Sequence, residues 1–323
     1  MMRAFVTGAN GFVGSSVVRA LLARGHAVVA LLRTGSDDRN LRGLDVERVM
    51  GDLEQVEALT VHLRGCNALF HVAALYSTRP EDSGRMFKVN VDCTRRLLAE
   101  AANLGVARIV HTSTIGTIGR REDGRPPTES DIMVLSSCTS AYARSKLGGE
   151  RAALELAAEG APVVVVNPCA PVGRGDYKPT STGQRIVDYL GGRTPKLSPG
   201  GINFCSVDDI AVGHVLAAEK GRPGERYILG NAEGNLDLGQ FMALMQQASG
   251  IGPPGSGIGA RVKRMARRVV GRRGQTTPLS GTGNRPVALT ADPSRAIREL
   301  GLPQTPLEVA FSEAVAWFRA QEA

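Results

Sequence analysis

Aromatic residues are scarce in this chain. They make up 4% of its 323 residues, and Trp317 is its one tryptophan. A surface that stacks nucleic-acid bases needs aromatic platforms, so no nucleic-acid partner is expected. Cysteine is sparse as well. Cys66, Cys93, Cys138, Cys169 and Cys205 are odd in number and widely scattered. No pair has metal-ligand spacing and no disulfide framework is visible, which fits a reducing, cytoplasmic location. The five histidines are isolated too, and no metal site is expected. No apolar run reaches membrane-spanning length. The N-terminus enters a strand-like run at once, at MMRAFVTG, without the charged region and cleavage site of a secretory leader.

The net charge of +8 looks diagnostic but is local. Seven Lys or Arg residues and no acid lie between Gly255 and Gln275, and removing them leaves +1 for the rest of the chain. Inside that stretch Val262, Met265, Ala266 and Val269 share one helical face, and Arg261, Arg264, Arg268 and Arg272 share another. Residues 261–273 therefore read as a surface helix packed on a second domain, a cap on a substrate cleft, or a helix making weak contact with a membrane surface.

The first half alternates short apolar runs with helical patterns. RAFVTG, AVVALLR, VERVMGD, ALFHVAA, ARIVHTS and PVVVVNP read as strands. Helices are expected at about 12–24, 84–104 and 140–158. Near-continuous apolar strands belong to a parallel sheet covered on both faces. The α/β alternation predicts a doubly wound Rossmann-type sheet. The second half is richer in Pro and Gly and reads as a smaller, irregular α/β unit. The division expected is 1–168 for a dinucleotide-binding domain, with sequence returning to it around 203–220, and 169–323 for a mostly substrate-binding domain.

VTGANGFVGSS places Gly8, Gly11 and Gly14 after the first strand and at the mouth of the first helix. One glycine makes the tight turn, one lets the backbone approach a pyrophosphate, and one lets helix and strand pack closely. The helix N-terminus then offers N–H groups and a positive dipole end to phosphate. The second strand ends at Arg33, followed by Thr34 and Ser36. A site for NAD usually has an acid there, whereas a guanidinium suits a 2′-phosphate. NADP(H) is expected, with NAD(H) the alternative and a solvated strand-end charge the plainer reading of Arg33. Asp52, in the GDL that follows the third strand, is placed to reach the adenine amine.

AYARSKLGGE sets Tyr142 and Lys146 one helical turn apart on one face. The spacing alone does not separate a reactive pair from a surface pair. Together with TGANGFVG, GDL, HVAA (71–74), HTST (111–114), NPCAPVGRGD (167–176) and VDDIAVGH (207–214), the chain resembles the extended short-chain dehydrogenase/reductases of the NAD-dependent epimerase/dehydratase family. The likeness spans nearly the whole length. HVAALYS, GDYKPTSTG and GRPGERYILG resemble the hopanoid-associated sugar epimerase group, a neighbour of the dihydroflavonol 4-reductases.

The resemblance implies a catalytic set of Thr114, Tyr142 and Lys146, with Ser113 the alternative hydroxyl. It also implies a cofactor cradle that includes Asn10, Phe12 and Val13 of the glycine loop, Leu53, Ala73, Ala74 and Pro168, besides Tyr142 and Lys146 themselves. Free tyrosine titrates near 10. A neighbouring ammonium and an oxidised nicotinamide would favour its phenolate. In reduction Tyr142 gives its proton to a small-molecule carbonyl while Thr114 holds the oxygen, and Lys146 clamps the nicotinamide ribose. The position after Thr114 lacks the Asp-Glu pair of 4,6-dehydratases, and Ile115, Gly116 and Thr117 look more like a reductase stretch than an epimerase one. Carbonyl reduction is expected; sugar epimerisation by transient oxidation is the alternative, and a dinucleotide-binding sensor without turnover is a third. The family also implies a homodimer through about 84–104 and 140–158, where Ala143, Leu147 and Leu154 suit either such an interface or the core of a monomer.

Overall fold

In the computed structural model, residues 1–138, 140–254 and 288–322 are described. The basic segment 261–273 lies outside them. A seven-stranded parallel sheet in the order β3-β2-β1-β4-β5-β6-β9 forms the centre. Its strands are β1 (Arg3–Thr7), β2 (Ala27–Leu32), β3 (Glu47–Met50), β4 (Ala68–His71), β5 (Arg108–Thr112), β6 (Val163–Pro168) and β9 (Arg226–Leu229). The twofold period of a strand sends alternate side chains to opposite faces, and both faces are buried here. Ala4, Val6, Ala30, Phe70 and Val166 face one layer with Val17, Val18 and Leu21 of α1 (Phe12–Ala23) and Ile210 and Val215 of α7 (Val207–Lys220). Phe5, Val29, Leu69 and Val165 face the other, with Leu59 and Leu63 of α2 (Val56–Leu63), Leu97 and Leu98 of α4 (Thr94–Asn103), and Leu156 of α5 (Ala141–Ala158). Apolar runs in the sequence are thus strands with two covered faces.

The single helix expected at about 84–104 is interrupted. α3 (Ser83–Phe87) passes through a π-helical turn at Lys88–Cys93 into α4. The wide turn presses Asn90 against α5: a Cβ on Gly149 would lie 2.2 Å from the Asn90 carbonyl oxygen. It also aims the Asn90 amide at two neighbours, donating to the Leu75 carbonyl (2.9 Å) and to Ser145 Oγ (3.0 Å). π-turns of this kind are rare and gather near functional sites.

A second sheet, β10-β8-β7, is built from β7 (Ala170–Val172), β8 (Ile202–Ser206) and β10 (Asn235–Leu236). It packs with α6 (Ser181–Leu190), α8 (Leu238–Ser249) and α10 (Leu307–Glu322) around Phe204, Phe241, Phe311 and Tyr189. β8 lies in this small sheet. The chain returns to the large sheet with α7, packed against α1, and with β9, its edge strand. The stretch ERYILG is therefore part of the large sheet, and α9 (Ser294–Leu300) adds Ala296 and Leu300 to the same core. Among the described residues no helix is long and apolar enough to cross a membrane.

Candidate active site

The C-terminal ends of β1, β2 and β4 open into a cleft of about 380 Å³. Ligands in open α/β sheets bind at this edge, where strand order reverses. The glycine loop shapes its floor. Gly8 has φ +68°, and a Cβ there would sit 2.8 Å from the Ala73 amide nitrogen. A Cβ on Gly14 would lie 2.0 Å from the Gly8 carbonyl oxygen, so only glycine lets α1 seat on the loop. The N-cap of α1 is Gly11, which brings no capping side chain, and no acid lies in the first turn. The first-turn N–H groups are left open to an anion.

Gly8, Asn10, Gly11, Phe12, Val13 and Gly14 line this cleft together with Arg33, Asp52, Leu53, Ala73 and Ala74. Leu75, Val89 and Thr180 also line it and were not singled out from the sequence. Pro168, Tyr142 and Lys146 are not part of this lining; Pro168 ends β6, paired with Leu229. Tight glycine contacts, an uncapped helix end and flanking apolar walls fit a dinucleotide.

A second cavity of about 380 Å³ adjoins the first, sharing Arg33, Gly51 and Asp52 and adding Thr34, Gly35, Ser36 and Gln55. Ser36 Oγ is buried there without a hydrogen-bond partner. The two acids that follow are already matched: Asp37 pairs with Arg39 at 2.5 Å and Asp38 with Arg48 at 3.8 Å.

The residues expected to do chemistry sit where β5 meets α5. Thr114 follows β5 and caps a short 3-10 turn at Ile115–Thr117, its Oγ1 accepting from the Gly116 N–H at 3.2 Å. Tyr142 lies in the first turn of α5, which Ser140 caps by accepting from the Ala143 N–H at 3.0 Å. Lys146, one turn further, is 3% exposed. Its Nζ donates to the Thr112 carbonyl at 2.8 Å, which ties α5 to the end of β5 two residues before Thr114. Burial draws the Lys146 ammonium down to about 8, against an upward pull from Glu150. The Tyr142 ring meets Tyr76 edge to face, centroids 4.9 Å apart at 83°.

The expected pull toward phenolate is shared by an oxidised nicotinamide; the protein's own surroundings of Tyr142 favour its protonated form. Burial first, and Tyr76 second, push the phenol up to about 12. Both causes favour the neutral phenol, so Tyr142 keeps its proton.

Sequence reasoning missed a buried polar network behind these residues. Glu150, one turn beyond Lys146 and 1% exposed, accepts from Thr117 Oγ1 (2.5 Å), Asn167 Nδ2 (2.7 Å) and Arg226 Nη1 (2.9 Å). The signal available was an acid four residues after Lys146, on the same helical face.

Comparison with known proteins matches residues 4–230 to the model of the NAD dependent epimerase/dehydratase family. The chain is 37% identical to a putative dihydroflavonol 4-reductase of Synechocystis over 98% of its length and 94% of that protein's. It is 36% identical to sterol demethylase protein B of Methylococcus capsulatus, covering 98% of each. The crystal structure of gox2253 superposes with a TM-score of 0.83 at 36% identity, over 99% of both chains. The glycine loop at the edge of a seven-stranded parallel sheet and the full-length relatives agree: this chain is an enzyme of the NAD dependent epimerase/dehydratase family, the extended short-chain dehydrogenase/reductases.

Proposed function

We propose that the protein is an NADP(H)-dependent reductase that takes a ketone or aldehyde on an apolar skeleton, with Tyr142 as the proton donor. The observation that carries this reading is the placement of Tyr142 on the helix that Lys146 ties to the strand leading to Thr114, with burial keeping its phenol protonated. A group that keeps its proton at neutral pH is suited to donate it to a developing alkoxide. A nicotinamide dinucleotide held in the cleft supplies the hydride. Thr114 Oγ1 orients the carbonyl oxygen, and Tyr142 delivers the proton to it. The Lys146 ammonium stabilises the charge left on the phenolate and reaches toward the ribose. Arg33, Thr34 and Ser36 bind the 2′-phosphate, a reading supported by the unpartnered Ser36 hydroxyl and by the pairing of Asp37 and Asp38 with other cations.

An apolar substrate is preferred over a nucleotide sugar because the full-length relatives include a putative dihydroflavonol 4-reductase. The relative named as a sterol demethylase protein agrees with a bulky apolar substrate. The Rossmann part, 1–168 with 207–229, would hold the dinucleotide, and most of the remainder would shape the substrate cleft. The test is NADPH oxidation with a panel of cyclic ketones, run beside interconversion of nucleotide sugars. Net NADPH consumption with a ketone is expected. Tyr142→Phe should lower kcat by about 100-fold or more; near-normal turnover in that variant, or sugar interconversion without net NADPH loss, would sink the reading.

A further inference from the structure

We propose that Glu150 is a positioning residue of this reaction: from one turn beyond Lys146 it fixes the turn that carries Thr114 and supplies the negative charge that keeps Lys146 an ammonium. This rests on the carbonyl-reductase reading and concerns the same site.

The geometry distinguishes Glu150 from an ordinary buried ion pair. A carboxylate matched only to Arg226 would have no link to the reactive groups. Here two of its three hydrogen bonds come from Thr117 and Asn167, and both side chains also lie within hydrogen-bond distance of the Thr114 carbonyl. Asn167 Nδ2 has two hydrogens for three acceptors in reach, Glu150 Oε2 (2.7 Å), Thr117 Oγ1 (3.0 Å) and the Thr114 carbonyl (3.2 Å). Thr117 Oγ1 lies 2.5 Å from Glu150 Oε2, 2.7 Å from the Thr114 carbonyl and 3.0 Å from Ser113 Oγ. Its single proton goes to the charged acceptor, the stronger bond, which leaves the Thr117 oxygen to accept from Ser113. The carboxylate therefore sets the proton directions of the whole turn. Arg226 is held in turn through the backbone carbonyls of Glu129 and Asp131, so the carboxylate is fixed from behind.

The charges around Lys146 give the second half of the argument. From β4 it faces His71 and from β5 His111. Burial holds both rings neutral, His71 down to about 3 and His111 well below the usual range. On its own helix it interacts with Glu150, and Tyr142, one turn before it, keeps its proton. Arg226 of β9 stands behind Glu150. Among these groups Glu150 alone brings negative charge. Without it, desolvation acts on the ammonium unopposed.

The experiment uses the full chain and records pH–rate profiles of NADPH oxidation with a ketone accepted by the wild type, together with a thermal melt of each variant. Glu150→Gln should lower kcat about tenfold or more and move the alkaline limb about one pH unit toward acid. Thr117→Val keeps the Glu150–Arg226 pair and cuts one tether to the turn; it should lower kcat with the limb where the wild type has it. A folded Glu150→Gln protein with wild-type kcat, or with a reduced kcat and an unmoved limb, overturns the proposal. If Glu150→Gln does not fold, wild-type kcat in Thr117→Val overturns it. Tyr142→Phe separates the two levels. Full turnover in that variant sinks the reductase reading itself, whereas loss of turnover there beside normal Glu150→Gln and Thr117→Val proteins sinks only the positioning role.

Discussion

Arg33 stands at the end of β2 with its guanidinium exposed beside a cavity that also holds Thr34 and Ser36. A planar cation in that place gains from a phosphate and little from a hydroxyl. Arg33→Ala should therefore raise the KM for NADPH about tenfold and leave that for NADH within about twofold. Steady-state kinetics with both cofactors checks this, and equal losses for the two would remove the phosphate role. Residues of this kind were legible in the sequence because a local motif encodes the geometry: Tyr142 and Lys146 need only a helix to share a face, and Arg33 needs only to follow a strand. Glu150 was not legible. Its burial is made by Asn167, 17 residues away, and Arg226, 76 residues away, and an acid on a helix reads as solvated until those strands are placed. The raised proton affinity of Tyr142 escaped for the same reason, since the burial that sets it comes from the tertiary structure.

Elements were legible where sequence carries their ends. α8 (Leu238–Ser249) begins at a reciprocal capping box of Asp237 and Gln240 and ends at Gly250 with φ +70°, the start and stop signals a helix wants. The break of α3 and α4 by a π-turn has no such local mark; it answers to close packing against Gly148 and Gly149 of α5. α6 was hidden because it follows a stretch rich in Pro and Gly that reads as irregular, although Thr180 caps it, accepting from the Gly183 N–H at 3.2 Å. The element that matters most for binding is the junction of β1 with α1. Gly14→Ala would place a methyl group 2.0 Å from the Gly8 carbonyl oxygen, and a backbone atom cannot give way as a side-chain tip can. The variant should lose about 1–3 kcal/mol of stability and most of its dinucleotide affinity. Denaturant unfolding and fluorescence titration with NADPH check the two effects, and wild-type affinity in the folded variant would show that the loop does not cradle the pyrophosphate.

For the molecule as a whole, the large sheet is laced by buried histidines. His71 bridges Thr7 Oγ1 and Thr94 Oγ1 at 2.8 and 2.9 Å, and His214 lies between Thr112 Oγ1 and the Ile210 carbonyl. Burial pushes His71 to about 3 and His214 to about 4. The unfolded chain binds protons at these sites below about 6.5 while the native state does not. Stability is therefore full above 6.5 and falls with acid, by about 2 kcal/mol per histidine at pH 5. Urea unfolding at pH 7 and pH 5 measures it, and equal stabilities would mean these rings titrate in the native state. The glycine loop and the chain after β7 are also joined by the buried Asn40 amide. Asn40 Nδ2 donates to the Asn10 carbonyl of the glycine loop (3.2 Å) and to the Gly175 carbonyl (3.0 Å). Beside it Arg39 lies 4.8 Å over the Tyr177 ring, which meets Trp317 edge to face. From Gly175 the chain runs through Asp176, which accepts from the Thr180 N–H and hydroxyl, to Thr180 on the cleft wall. Asn40→Ala leaves the buried Gly175 carbonyl and the part-buried Asn10 carbonyl without that donor and should cost about 1–3 kcal/mol. Because one of them belongs to the glycine loop, the variant should also weaken dinucleotide binding, while Tyr177→Leu, which removes the ring under Arg39 and leaves the Arg39–Asp37 pair, should leave binding nearly intact. Titration of NADPH into both folded variants decides it: equal affinities would mean that the amide holds the fold together without holding the cofactor loop in place.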